Sequence, residues 1–285
     1  MSRHTMTGYT MTGRSVTLWR VAAASVAFLA VTPFIAGRVA LSAPTGNPAS
    51  ACAFQPQAAA ITAPLPHLAG RIDAGGPLRI VAIGSSSTAG AGASRPDRSY
   101  PARLAELLQQ RLPGVAVDVL NKGVNGEVGT QMLRRFQRDV LDQKPDLVIW
   151  QVGANTVLRG EDPGAAETVI RTGIQQLKAA GMDVVLMDLQ YAPAMLSKPT
   201  HEDMQARIAR IAEDEGVGLF RRFAAMRQWV ETRQASMSDL VGPDGIHLND
   251  VGYDCLARSL SASLKDAAGL RKAPVADKGQ PPSGG

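Results

Sequence analysis

The sequence predicts a three-layer α/β/α sandwich built on a flavodoxin-like parallel sheet of about five strands. Three observations predict it. Short apolar runs recur through the middle of the chain, stretches with helical spacing separate them, and the runs are apolar at odd and even positions alike. A strand that is apolar on both sides must be covered on both sides, which calls for parallel pairing through helical crossovers.

The first run spans residues 78–83, ends at "GSSSTAG", and is followed by the helical pattern "PARLAELLQQRL" after Tyr100. The second, residues 115–120, runs into the glycine-bearing turn "NKGVNGEVG". The third, residues 147–152, ends in "QVGANT", and "TVIRTGIQQLKAA" after Glu167 has the spacing of a crossover helix. The fourth, residues 184–189, precedes "MQARIARIAEDEG" from Met204. The fifth, residues 217–220, is weaker and leads to "RRFAAMRQWVETR", where Phe223, Met226 and Val230 make an apolar face suited to the core. In an open sheet of this kind functional groups gather beyond the carboxyl ends of the strands, so those ends are where chemistry is expected.

The chain divides by composition. Residues 1–43 carry Arg3, Arg14 and Arg20, then the uncharged "VAAASVAFLAVTPFIAG", then Arg38. That layout is expected of a secretory signal peptide or of an uncleaved N-terminal anchor, and membrane association is expected through this segment only. Residues 44–76 are an Ala/Pro-rich arm, residues 77–270 the domain, and residues 271–285 a disordered tail. The formal charge of +5 is misleading. Of 30 basic residues eight lie outside the domain, and of 25 acidic residues two, which leaves 22 against 23 inside. A near-neutral domain argues against a nucleic-acid partner. Two cysteines, four histidines and no HExxH or CxxC give no support to a metal site, and no cofactor is expected. Export, to a periplasmic or extracellular place, would allow Cys52 and Cys255 to pair and pin the arm to the last helix.

The serines at Ser85, Ser86 and Ser87 admit three readings: a helix cap or turn, a nucleophile, or a phosphate-binding loop, the last without GK[ST] or GxGxxG. A serine nucleophile needs a base held by a carboxylate. His4 falls in the leader, His67 in the arm, and His201 at a helix start beside Glu202 and Asp203. His247 follows Asp244 by three residues in "PDGIHLND", a spacing that lets the carboxylate reach Nδ1 while Nε2 faces away. The turn around Gly126 offers backbone amides and Asn155 a side-chain amide, the donors an oxyanion hole requires. Each of these signals is common alone, and together they stand at strand or domain ends.

Taken as a set, these residues resemble the SGNH or GDSL hydrolase superfamily of esterases, lipases and carbohydrate deacetylases, across almost the whole domain. The resemblance implies that Ser86 of "GSSSTAG" is the nucleophile and that Asp244 and His247 complete a triad. It implies that Gly126, with Gly123 in reserve, and Asn155 of Gly153-Ala154-Asn155 join the Ser86 amide in the oxyanion hole. Ser85 stands where the family motif has Asp, and Thr156 stands where an Asp often follows the Asn. The function implied is that of an exported or anchored serine esterase, acting through an acyl-enzyme on a small-molecule or carbohydrate ester. The mixed polarity of "ASRPDRSYP" and "QYAPAMLSKPTHED" favours short acyl groups, acetyl on carbohydrate among them. A catalytically silent glycan- or partner-binding protein and an acyltransferase with the same triad are the alternatives.

Overall fold

The structure, a computed structural model, describes Cys52 and residues 56–269. The predicted leader, the first part of the arm and the tail lie outside the described residues. Five strands, β1 (Leu78–Gly84), β2 (Val117–Gly123), β3 (Leu147–Gln151), β4 (Asp183–Met187) and β5 (Gly218–Phe220), form one sheet in the order β2-β1-β3-β4-β5. Every pairing is parallel, so this is the flavodoxin-like sandwich that the alternation predicts.

The helices are α1 (Pro56–Ala59), α2 (Pro66–Asp73), α3 (Ser86–Ala89), α4 (Tyr100–Arg111), α5 (Gly129–Leu133), α6 (Phe136–Asp139) and α7 (Ala154–Arg159). They continue with α8 (Pro163–Ala179), α9 (Pro193–Leu196), α10 (His201–Glu215), α11 (Arg222–Glu231), α12 (Met237–Leu240) and α13 (Asp250–Ala267). Two cores lie on the two faces of the sheet. Ile80, Ala82, Ile149 and Met187 point to one, shared with α2, α4, α11 and α13. Val81, Ile83, Val148, Trp150 and Leu186 point to the other, shared with α8 and α10. The period-2 alternation of side chains across a pleated strand explains why runs that are apolar throughout become the inner strands.

β4 ends two residues earlier than its apolar run, at Met187, and two further departures from the sequence expectation are larger. β2 begins and ends later, because Asn121, Lys122 and Gly123 continue the ladder beside Ala82, Ile83 and Gly84 although they are not apolar. At an edge strand, backbone pairing sets the end, whatever the side chains. The arm is partly helical, and Ile61, Leu65 and Leu68 are buried in the first core. Cys52 is disulfide-bonded to Cys255 on α13, with Cα atoms 5.5 Å apart. The helix α11 buries Phe223, Met226 and Trp229, with Val230 packed partly buried against the core. Among the described residues no helix is long and apolar enough to cross a membrane.

Candidate active site

The sheet order reverses direction between β1 and β3, and the residues that follow these two strands at their carboxyl ends are Ser86 and Asn155. β1 ends at Gly84, and the chain turns at once into α3, whose first residue is Ser86. The turn sits against β2 with no space to spare: a Cβ on Gly123 would come within 2.0 Å of the Ala89 backbone nitrogen. Ser86 is half-buried, whereas Ser85 and Ser87 are buried.

Ser86 is brought to His247 from 161 residues away. Its Oγ lies 2.8 Å from Nε2 of His247. The ring's Nδ1 lies 2.6 Å from Oδ2 of Asp244. An ionised carboxylate only accepts, so Nδ1 carries the proton, Nε2 is the acceptor, and the Ser86 hydroxyl donates. Asp244 is held independently of the ring, because its Oδ1 accepts the backbone N–H of Ile246 at 2.9 Å and of His247 at 3.0 Å. Partial burial works to raise the Asp244 carboxyl, but these hydrogen bonds and the His247 ring outweigh it and hold the group below its usual range.

The loop that carries both residues is tied down at several points. Gly242 N–H donates to the His247 carbonyl at 2.8 Å, and Asn249 caps α13 by accepting from Gly252 N–H at 3.0 Å. Ala194 of α9 donates to the Gly245 carbonyl at 3.0 Å. On the other side Ser94 bonds the Asp250 carboxylate through its N–H at 2.8 Å and its hydroxyl at 2.6 Å. The segments after β1 and β4 thus flank the histidine loop.

The remaining predicted residues, Asn155 and Gly126, are brought together at the turn after β2. Asn155 Nδ2 donates one of its two hydrogens to the Glu127 carbonyl at 2.9 Å, which joins the end of β3 to the turn after β2 and leaves the second hydrogen. Gly126 sits in that turn, where Arg159 of α7 donates to its carbonyl. Among the described residues neither the N–H of Ser86 nor that of Gly126 donates a hydrogen bond. Gly123, the reserve, donates its N–H to the Asn121 side chain at 2.9 Å. A cavity of about 110 Å³ is lined by Gly153 and Thr156 but not by Ser86 or His247, so it lies behind the Asn155 segment.

A sequence profile of the non-GDSL lipase-like family matches residues 51–270. The chain belongs to that family. Among curated relatives, the thioesterase 1/protease 1/lysophospholipase L1 of Escherichia coli K12 is 28% identical over 186 residues, 65% of this chain and 83% of that protein. The acetylxylan esterase of Geobacillus stearothermophilus is 26% identical over 173 residues, 56% of this chain and 78% of that one. A solved structure of an acetylxylan esterase from the same organism superposes with a TM-score of 0.56 at 24% identity, covering 66% of this chain and 94% of that one. A two-domain esterase active on acetylated mannans superposes at 0.63 with 20% identity, covering 74% of this chain and 56% of that one. This chain therefore spans little more than half of that esterase, and both superpositions speak to the fold. The resemblance to SGNH hydrolases holds, and this member of the non-GDSL lipase-like family is an ester hydrolase.

The other histidines that the sequence offered are elsewhere. In this non-GDSL chain His201 Nδ1 lies 2.9 Å from the Lys198 carbonyl, and its ring packs on Phe223 with centroids 5.8 Å apart. His67 lies at the start of α2, beside Asp183 at the amino end of β4. His4 is outside the described residues. Among the described residues no cluster of three or more His, Cys, Asp or Glu is placed to hold a metal.

Sequence reading passed over two groups under the site. Arg135, buried between α5 and α6, pairs with Glu127 at 2.7 Å and with Asp139 at 2.9 Å, and donates to the Gly84 carbonyl at 3.2 Å. Gln151, 1% exposed, ends β3. An amide closing the otherwise apolar "LVIWQ" was the available signal, since a buried polar side chain needs a partner.

Proposed function

We propose that this chain is a serine esterase that hydrolyses short-chain esters through an acyl-enzyme, with acetyl esters of carbohydrates as the favoured substrate class. The observation that carries the reading is the unbroken series Ser86–His247–Asp244, at 2.8 and 2.6 Å, together with N–H groups of Ser86 and Gly126 that donate to no group among the described residues.

In this mechanism His247 takes the proton of Ser86 as its oxygen attacks the ester carbonyl, and Asp244 stabilises the imidazolium that forms. The developing oxyanion is received by the Ser86 and Gly126 amides and the second hydrogen of Asn155, each donor worth about 10²–10³ in rate. His247 then protonates the departing alcohol oxygen, and water repeats the attack to release the acid. The Asn155 bond to Glu127 serves this role, because it fixes the amide's orientation before charge develops.

Three things support the substrate class. Relatives include an acetylxylan esterase, and a structural neighbour is active on acetylated mannans. The walls carry exposed Arg95, Asp97 and Arg98. A cleft of about 240 Å³ is lined by Tyr191, Leu196, His201 and Phe223, an aromatic lining that suits a sugar ring. Helix α9 links it to the site, giving Leu196 to the cleft and Ala194 to the histidine loop.

Export by a cleaved leader or retention by an N-terminal anchor belongs to the same proposal, with residues 77–270 as the hydrolase domain. The disulfide supports an oxidising location. The test is fluorophosphonate labelling with the adduct located by peptide fragmentation. The expected result is modification of Ser86 that is lost in His247→Ala, together with turnover of acetyl esters faster than long-chain ones. An adduct on Ser85 or Ser87, or folded protein without one, would refute it.

A further inference from the structure

The peptide that joins β1 to the Ser86 turn is held at both edges. Its carbonyl, on Gly84, accepts the Val124 N–H at 3.1 Å and the Arg135 guanidinium at 3.2 Å. Its N–H, on Ser85, donates to Oε1 of Gln151 at 2.8 Å. The same oxygen accepts the Ser85 hydroxyl at 2.9 Å and faces the Thr88 hydroxyl at 3.5 Å. The chemistry fixes which end of the amide faces the turn, because a backbone N–H requires an acceptor. The fit is close, since a Cβ at Gly84 would lie 2.8 Å from Oε1 and 2.2 Å from the Thr88 hydroxyl.

We propose that Gln151 is a positioning residue for ester hydrolysis, clamping the Gly84–Ser85 peptide and thereby aiming the Ser86 hydroxyl at His247 and the Ser86 N–H at the oxyanion. The proposal rests on the reading of Ser86 as the nucleophile. Residue 85 is a hydroxyl donor here, where the G-D-S motif has a carboxylate, so the turn's acceptor must come from elsewhere, and the neighbouring strand supplies it. A neutral amide does so in a fully buried place without the desolvation cost of a charge. Without it, a buried N–H and a buried hydroxyl lose their partner, and the turn relaxes to find another. Misplacement of a reacting group by about 1 Å costs up to ~10²-fold in rate.

The experiment uses the full chain with Gln151→Met, which keeps length but offers only a weakly accepting sulfur; Gln151→Asn, which is too short to reach Ser85; and Gln151→Glu, which restores an oxygen at the same reach. Active sites are counted by fluorophosphonate titration, and kcat and KM for an activated acetyl ester are taken per labelled site. The expected result is a fall in kcat of about 10- to 100-fold for Met and Asn with KM within about twofold, and recovery by Glu to within about threefold of the parent. If Gln151→Met does not fold, Gln151→Asn gives the same reading. The proposal fails if the folded Met or Asn variant keeps kcat per labelled site within about twofold of the parent, or if Glu is no better than Met. A parent chain that is not labelled at Ser86 overturns the nucleophile reading and this inference with it; a labelled parent with indifferent Gln151 variants overturns this inference alone.

Discussion

The Ser86 hydroxyl lies 2.8 Å from Nε2 of His247, and Nδ1 of that ring lies 2.6 Å from Asp244, so in the proposed mechanism each of the three side chains has a separate and measurable part. Ser86→Ala and His247→Ala are each expected to lower kcat on an acetyl ester by about 10⁴-fold or more, and Asp244→Asn by about 10³–10⁴-fold. Equal losses in an unrelated variant such as His67→Ala, beside the amino end of β4, would show that the assay reads folding instead. A second residue-scale expectation concerns Asp188, buried where β4 ends, whose Oδ1 accepts the Phe223 N–H at 3.0 Å. Burial pushes its carboxyl from 3.8 up to about 7. The fold therefore favours the protonated form. That contribution to stability is complete below about pH 4 and is lost as pH rises through 7. Asp188→Asn is expected to remove it, so Tm measured from pH 4 to pH 8 should fall less in the variant than in the parent; parallel curves would contradict the shift. At this scale the meeting of His247 with Asp244 was legible, because few histidines were available and only one had a carboxylate at a spacing that reaches Nδ1, and the family resemblance singled out Ser86 among three serines as its partner. The partner of Gln151 was not legible, because Ser85 is 66 residues away and is met only across paired strands.

The β1–α3 junction is the element on which the site depends, and β2 supports it from below. Gly123 is required there by close approach: a Cβ would collide with the backbone of Thr88 and Ala89, at 2.5 Å or less, and backbone cannot swing aside as a side chain can. Gly123→Ala is expected to lower Tm by several degrees and kcat by about tenfold or more, through displacement of the turn that carries Ser86. Thermal unfolding together with kinetics on the fraction that remains folded checks this, and unchanged kcat in a folded variant would mean that α3 does not depend on this contact. The strands and the helices α4, α8 and α10 were legible as periodic apolar patterns. The short helices α5, α6 and α9 were not, since helices of four or five residues are stabilised by packing and capping, too few residues to show a period.

Across the whole molecule, the disulfide joins residues 203 apart in sequence, and α13, which holds Cys255, starts immediately after the histidine loop. Closing so long a loop in the unfolded chain is worth about 2–5 kcal/mol. Reduction, or Cys255→Ser, is expected to lower Tm by on the order of 10 °C. The comparison is one of thermal unfolding with and without reductant, and an unchanged Tm would contradict the linkage. The arm is tied to the domain by more than this bond. Leu65 and Leu68 are buried in the first core, and Leu68 N–H donates to Asp183 at 2.9 Å. Apolar periodicity was enough, by itself, to determine the parallel sandwich, and composition the near-neutral charge of residues 77–270, while the choice of Ser86, Gly126, Asn155, Asp244 and His247 came from the resemblance to SGNH hydrolases. The sandwich comes from local pattern: a strand buried on both faces reads as an apolar run, and a parallel sheet gathers its loops at one end. Only the tertiary structure decided the extent of β2, the packing of the arm, and the clamp of Gln151 and Arg135 on the Gly84–Ser85 peptide. Each depends on which distant backbone group lies opposite, a quantity fixed by strand register and helix packing and carried by no window of sequence.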